Sequence, residues 1–489
     1  MYMYKPSWNS IQNHNTPQWF KDAKFGIYTH WGVYSVPACG PNATWYGYNM
    51  YREGSLQNIY HVNKYGDPSK FGYKDFIPMF TAEKFDADQW AEIIKNSGAK
   101  FAGPVGEHHE GFTMWDTKYS QWNAKNMGPK RDIVGELAKS IKSNGLKYMV
   151  AMHHAETWWF YPHWKTQYDV SKPEYSGLYG GLHDMQWKDK GHIVDKNPYI
   201  ANHEQFWPTQ ERPSKEFLDL WYNKLIELID NYEPDLLWFD FGLRYIQEDY
   251  KKDFVAYYYN KAEELKKEVN ITYKWHNLGV GSGTEDIEQG KCSDLTYNYW
   301  ITDTTADDGE AWGHLYNNTY KSPTSLIHYL VDNVSKNGSL LLSIGPRADG
   351  TIPEEVQNIL SEMGKWLEIN GEAIYGTIPW TFAAEGPTKP TKTGPFSEME
   401  KVTYTAKDIR FTVKDDFLYA ICLGIPNNEI EIQTIKQYVY PSEIKSIKML
   451  GCDRPLNWRM SENGLKIEIP SHIPCDHACS FKIERKRPF

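Results

Sequence analysis

From the start of the chain to about residue 380, short apolar runs alternate with longer stretches in which apolar positions recur every three or four residues. The runs are KFGIYTHW (24 to 31), AKFAGPVG (99 to 106), LKYMVAMHH (146 to 154), PDLLWFDFG (234 to 242), ITYKWHN (271 to 277), DLTYNYW (294 to 300) and GSLLLSIGP (338 to 346). Each is rich in β-branched or aromatic residues and apolar at nearly every position, as a strand buried on both faces should be. The stretches between them, such as ADQWAEIIKNSG, RDIVGELAKSIKSNG and KEFLDLWYNKLIELIDNY, read as amphipathic helices. Several close on Asn-Gly or Ser-Gly, residues that tolerate the left-handed position ending a helix.

Strand and helix alternating over this length predict an α/β fold with a parallel sheet. Seven runs are one short of the eight strands of a closed (β/α)₈ barrel, and no GxGxxG or P-loop follows any of them. A TIM-like barrel with one strand hidden in an irregular stretch is therefore favoured over an open nucleotide-binding sheet. The segments from Tyr51 to Phe80 and from Phe160 to Pro213 carry no period and are expected to be loops shaping the outer pocket.

After Trp380 a connector, AAEGPTKPTKTGPF, leads into short alternating runs: DIRFTVKDDFLYAICLG, EIKSIKML, GLKIEIP and HACSFKIERK. Their texture predicts an antiparallel β-sandwich. The expected domains are a catalytic-sized barrel over residues 1 to 380 and a sandwich over 390 to 489, since 489 residues exceed what one core usually supports.

Composition narrows the function. Aromatic residues make up 15% of the chain, with 20 Trp and 35 Tyr, and such rings stack on the C–H faces of sugars while His, Asp, Glu and Asn bind the hydroxyls. A net charge of -10 argues against nucleic-acid or anionic-membrane partners. No run is long enough to span a membrane and the first residues lack a secretory signal, so the expected location is cytoplasmic, or secreted or periplasmic if a signal peptide has been trimmed. Six dispersed cysteines make no disulfide scaffold.

The polar residues that end the runs are His30; Glu107, His108 and His109; His153 and His154; Asp240; and His276. In a barrel these strand ends share one rim, where chemistry is found. A metal site is disfavoured, because adjacent strand residues such as His108 and His109 face opposite ways unless the chain turns, and no HxH or HExxH is present. Neither metal nor cofactor is expected. Asp240, inside LLWFDFG, is a carboxylate in an apolar run, which costs several kcal/mol unless the group is paired or reactive. A nucleophile is the reading it favours. Glycoside hydrolysis needs a second carboxyl group, and GTEDIEQGK, read as a Gly-rich polar loop, offers Glu285 and Glu288.

AKFGIYTHWGVYSVPA, EHHEGFTMWDTKYSQWN, GPKRDIVGELA, NYEPDLLWFDFG and VSKNGSLLLSIGPRADGTIP, followed by GKWLEINGEAIYGT, resemble in order the α-L-fucosidases of glycoside hydrolase family 29. The resemblance implies a barrel followed by a sandwich, and a retaining exo-enzyme that releases terminal α-L-fucose from an oligosaccharide or glycoconjugate without metal. It implies Asp240 as nucleophile and His30, His108 and His109 as ligands of the fucose hydroxyls. Trp238, with Tyr28 and Trp312, would form the wall around the C6 methyl group, and Trp45, Tyr46 and His154 join the expected substrate contacts. The acid/base is poorly fixed in sequence position within the family, so Glu288 is a choice, with Glu285 the alternative. Thr44-Trp45-Tyr46 departs from a Glu-Trp-Tyr common in the family, and Ile301 follows Trp300 where Glu is common. These departures keep two alternatives in view: a silent fucose-binding protein, and a glycosidase for another α-L-sugar such as L-galactose. Homo-oligomerisation is left open.

Overall fold

Eight parallel strands close into a barrel in chain order in the computed structural model, which describes residues 4–183, 185, 212–309 and 311–486. The strands are β1 (Phe25–Thr29), β2 (Phe101–Glu107), β3 (Lys147–Met152), β4 (Leu236–Phe239), β5 (Asn270–Lys274), β6 (Thr284–Asp286), β7 (Trp300–Thr305) and β8 (Gly338–Ile344). Among the helices that pack outside are α1 (Ala87–Asn96), α2 (Ile133–Ser143), α3 (Lys215–Tyr232), α4 (Glu248–Leu265), α5 (Pro323–Ser335) and α6 (Glu354–Asn370). Side-chain caps start several of them, with Asp86 accepting from the Asp88 and Gln89 amides before α1, and Ser322 from Ser325 before α5.

The barrel is filled, not hollow. Phe101, Val105, Met149, Ala151, Leu236, Trp238, Ile301 and Leu341 pack inside it, with Phe20 and Ala23 of the preceding helix Gln18–Ala23 against them. Gly26 on β1 makes room for a large neighbour, because a Cβ there would stand 2.2 Å from the Phe101 ring.

The eighth strand, β6, lies in the acidic segment read from sequence as a loop. At three residues with only partial burial it is too short to show a period. The seventh strand begins at Trp300, where the sequence reading placed its end, because WITDTT carries Thr and Asp on a fully buried strand. Between Tyr51 and Phe80 the structure holds a helix, Leu56–Tyr65, and a 3-10 segment, Tyr73–Met79, in place of a loop. Within the second irregular segment, residues 184 and 186 to 211 lie outside the described part of the chain.

Beyond the barrel a five-stranded sheet runs in the order β13-β16-β11-β10-β9, and a three-stranded sheet in the order β12-β15-β14. Their ranges are β9 (Ile378–Glu385), β10 (Ile409–Lys414), β11 (Phe417–Cys422), β12 (Glu429–Ile432), β13 (Ile444–Met449), β14 (Trp458–Met460), β15 (Leu465–Glu468) and β16 (Cys479–Arg485). Phe411, Leu418, Ile432, Leu465 and Phe481 form a core of their own. Polar ties join this unit to the barrel helices: Arg410 Nε of β10 meets Asp332 Oδ1 of α5 at 2.5 Å, and Trp366 Nε1 of α6 donates to the Ala478 carbonyl at 2.9 Å. Among the described residues no helix is long and apolar enough to cross a membrane.

Candidate active site

Alternation along the strands decides what reaches the barrel mouth. Tyr28, Ala151 and Trp238 face the interior, so the residues two positions on, His30, His153 and Asp240, face it as well. Hydrogen bonding continues past the strand ends: His30 N donates to Ile344 O at 3.0 Å and His153 N to Glu107 O at 2.9 Å. The backbone amides of His30 and His153 are therefore held by the neighbouring strands and not left on free loops.

β2 follows a different course. Its register against β3 shifts between Val105 and Glu107, a bulge that turns Glu107 out to α3. There Lys224 Nζ lies 2.9 Å from both carboxylate oxygens and 3.0 Å from Thr113 Oγ1. The chain then turns, and His108 and His109 both reach the mouth, with ring centroids 4.7 and 5.1 Å from that of His153. The turn removes the objection that adjacent histidines must face apart.

Asp240 is the hub of this cluster. Its Oδ2 accepts from His153 Nδ1 at 3.0 Å and lies 3.3 Å from His109 Nε2, and the other nitrogen of His109 is 3.0 Å from Glu156 Oε2. Its side chain is 12% exposed, against 2% for both histidines, so the carboxylate opens toward the mouth. Burial alone would raise its pKa, but the two histidines outweigh that and hold it well below the usual carboxylate range. Burial likewise opposes charge on His109, yet Glu156 and the bond to Asp240 raise it. His30, His108 and His153 are pushed down by burial, which disfavours the charged imidazole.

The facing wall carries one cation among three carboxyl groups. Lys274 Nζ of β5 contacts Asp303 at 2.5 Å, Asp286 at 3.2 Å and Glu288 at 3.4 Å. Burial works against the ammonium, but Asp286, Asp303 and Glu288 hold it above its ordinary range. One cation cannot neutralise three buried anions, and protons are retained. Burial pushes Glu288 well above the usual carboxylate range, with Lys274 opposing and Asp303 and Asp240 adding to the rise. Asp286 is raised by burial and by Asp303.

The aromatic candidates fall in layers. Trp238 donates from Nε1 to Asp286 Oδ2 at 2.6 Å, and Tyr28, fully buried beneath His30, donates to Asp303 Oδ2 at 2.9 Å. Trp312 tilts against His30 at 5.4 Å, and Trp45 stands edge-on to His109 at 5.4 Å. Thr44 is buried next to Gly313.

Four residues that sequence reasoning placed at or near the site lie elsewhere. Tyr46 turns into the core, its hydroxyl 3.0 Å from His61 Nδ1 and its ring on Phe76. His154, one position out of phase with His153, faces outward, 3.8 Å from Glu107 and against Phe217. Glu285 sits on the outer face of β6, opposite Tyr273. His276 is exposed, because the chain leaves the strand at Trp275 with φ +48°. Lys274, Asp286, Asp303 and Glu156 went unread, although counting by twos along ITYKW from Thr272 finds the lysine.

Two trios, His30–His108–His153 and His109–His153–Asp240, bring ligand atoms within 4.8 Å of one another, a spacing open to a metal ion. It equally suits the adjacent hydroxyls of a sugar. His108 Nδ1 and His153 Nε2 are buried without a hydrogen-bond partner among the described residues, donors or acceptors left for a ligand.

Comparison with known proteins decides the family. Residues 2–372 match the family model for alpha-L-fucosidase, and residues 400–484 the model for the alpha-L-fucosidase C-terminal domain. The chain belongs to the alpha-L-fucosidase family. It is thus a glycoside hydrolase. It is 31% identical to the alpha-L-fucosidase of Branchiostoma floridae, over 98% of this chain and 96% of that one, and 32% identical to the plasma alpha-L-fucosidase of Homo sapiens, over 96% and 90%. Its structure is similar to that of the Thermotoga maritima alpha-fucosidase in complex with a mechanism-based inhibitor, at 31% identity and a TM-score of 0.76, covering 98% of this chain and 100% of that one. The barrel and the C-terminal sheets are common to both.

Proposed function

We propose that the chain is a retaining exo-α-L-fucosidase, with Asp240 as nucleophile and Glu288 as acid/base, acting on terminal α-L-fucosyl groups of oligosaccharides or glycoconjugates. The observation that carries this is a pair of carboxyl groups at one mouth whose surroundings push their protonation apart. Two histidines keep Asp240 ionised, whereas burial beside other carboxyl groups keeps Glu288 protonated.

The chemistry follows from that division. Asp240 attacks the anomeric carbon as the bond to the leaving oxygen breaks, and Glu288 gives that oxygen its proton. The product is a β-linked fucosyl ester of Asp240. Esterification removes the Asp240 charge, one of the influences raising the Glu288 pKa, so Glu288 is better able to hold a proton-accepting carboxylate for water in the second step. Water then displaces Asp240 with a second inversion, giving net retention. His30, His108, His109 and His153 supply the polar floor for the hydroxyls. Trp238 and Trp312, with Trp45 at the edge, supply apolar faces suited to a ring and its methyl group. Such a wall discriminates weakly against an added hydroxyl, by about a hundredfold, so L-galactosides are expected as slow side substrates.

Glu288→Ala tests the acid/base assignment. Fucosides with poor leaving groups, which need protonation, should lose roughly a hundredfold or more in kcat/KM, while a dinitrophenyl fucoside loses far less. Equal loss across leaving groups contradicts the assignment.

A further inference from the structure

Glu288 is not carried by a strand or helix. It lies past the three-residue strand β6, on irregular chain followed by Gln289, a non-glycine residue at φ +44°. Such a conformation is unfavourable for a residue with a side chain and persists only where its surroundings fix it. β7 fixes one side: Ile287 N donates to Ile301 O and Gln289 N to Asp303 O, each at 2.9 Å, and Gly290 N donates to Thr302 Oγ1 at 3.0 Å.

The other side is fixed from more than a hundred residues away, by the connector that leads to the C-terminal sheets. Phe396 N donates to the carbonyl of Glu288 itself at 2.8 Å, Glu398 N to Gln289 O at 2.8 Å and Gly394 N to Lys291 O at 2.8 Å. In return Lys291 N donates to Ser397 Oγ at 2.8 Å. The connector thus lies along the Glu288 segment, bridging to it at Gly394 and turning through a 3-10 segment, Ser397–Met399, that carries Glu398. Its own anchor is Glu398, whose carboxylate meets Lys321 Nζ at 2.9 Å and accepts from Thr304 Oγ1. Both members of the pair are largely shielded, at 13% and 14% side-chain exposure, and Thr304 belongs to β7. The anchor therefore joins the connector to the strand that holds the opposite side of Glu288.

We propose that residues 394 to 400 form a strap that holds the Glu288 carboxyl in place, with Glu398 as the positioning residue. The inference rests on the reading of Glu288 as acid/base. It makes the connector part of the catalytic machinery: Glu398 touches no substrate, and acts through the backbone of residues 288 and 289. Truncating it leaves the Lys321 ammonium two neutral acceptors, Thr304 Oγ1 and Thr305 O, both at 2.8 Å, but no counter-ion.

The test compares Glu398→Ala, Glu398→Gln and Glu288→Ala on methyl α-L-fucoside and on dinitrophenyl α-L-fucoside. Glu398→Ala should lower kcat/KM for the methyl glycoside about ten- to a hundredfold while sparing the dinitrophenyl substrate and the inhibition constant of free fucose. Glu398→Gln, which can still accept from Thr304, should recover most of the loss. If Glu398→Ala is unstable, Lys321→Gln weakens the same anchor from the other side and should show the same split. Equal loss on both substrates, or no loss, overturns the strap. If Glu288→Ala shows the leaving-group dependence and the strap variants do not, the strap alone falls; if Glu288→Ala lacks it, the acid/base reading falls and the strap with it.

Discussion

Asp240 illustrates how a buried carboxylate is kept ionised inside an apolar barrel. Its Oδ2 accepts a hydrogen bond from His153 and lies against His109, whose pKa is raised by Glu156 at 3.0 Å and by Asp240 itself. Glu156 is itself pushed up to about 7 by burial, with His109 pulling the other way. Replacing His109 by Phe removes a group, 3.3 Å from Oδ2, that helps to hold Asp240 down, so the Asp240 pKa rises. As the proposed nucleophile Asp240 must be ionised, and a higher pKa moves the acid limb of the kcat/KM profile to higher pH. The alkaline limb, assigned to Glu288 as the proposed acid, should not move. A pH profile of His109→Phe checks this, and an unmoved acid limb contradicts it. Of these groups the sequence revealed Asp240 and the histidines, because each ends an apolar run. Glu156 lies on a short 3-10 turn after β3, where no period marks it.

The elements explain why some sequence inferences held and others did not. Phase on a strand is strict, which is why His153 faces Asp240 while its neighbour His154 faces Phe217. The β2 bulge breaks the phase, and no residue pattern announced it: VGEHH reads as simple continuation. Its consequence is a buried ion pair, Lys224 with Glu107, each side chain 1% exposed. Removing the lysine leaves an uncompensated carboxylate, and Lys224→Met is expected to destabilise the fold by about 3–5 kcal/mol. Urea unfolding should show a lower midpoint with an unchanged slope, and a loss of unfolding free energy of less than about 1 kcal/mol would contradict the pairing argument.

At the scale of the whole molecule, the barrel was legible because strands buried on both faces leave long apolar runs, and the sandwich because its strands alternate. The wall opposite Asp240 was not legible. β6 is three residues long and β7 hides behind the polar sequence WITDTT, so Asp286 and Asp303 went unread, and Glu288, read as the acid/base candidate on a polar loop, was not seen to meet them at Lys274. Closure of the ring through β6 is what brings that acidic stretch to the barrel mouth, facing Lys274. The connector then ties the C-terminal sheets to the same stretch, through Phe396 and Glu398.

In the proposed mechanism Asp240 forms the covalent bond to the sugar. The direct measurement is aryl α-L-fucoside turnover by Asp240→Gly with and without azide. The variant should be inactive alone, and azide, entering the space of the lost carboxylate, should restore turnover and give β-L-fucosyl azide. Substantial activity without azide would contradict the assignment, as would an azide product of α configuration.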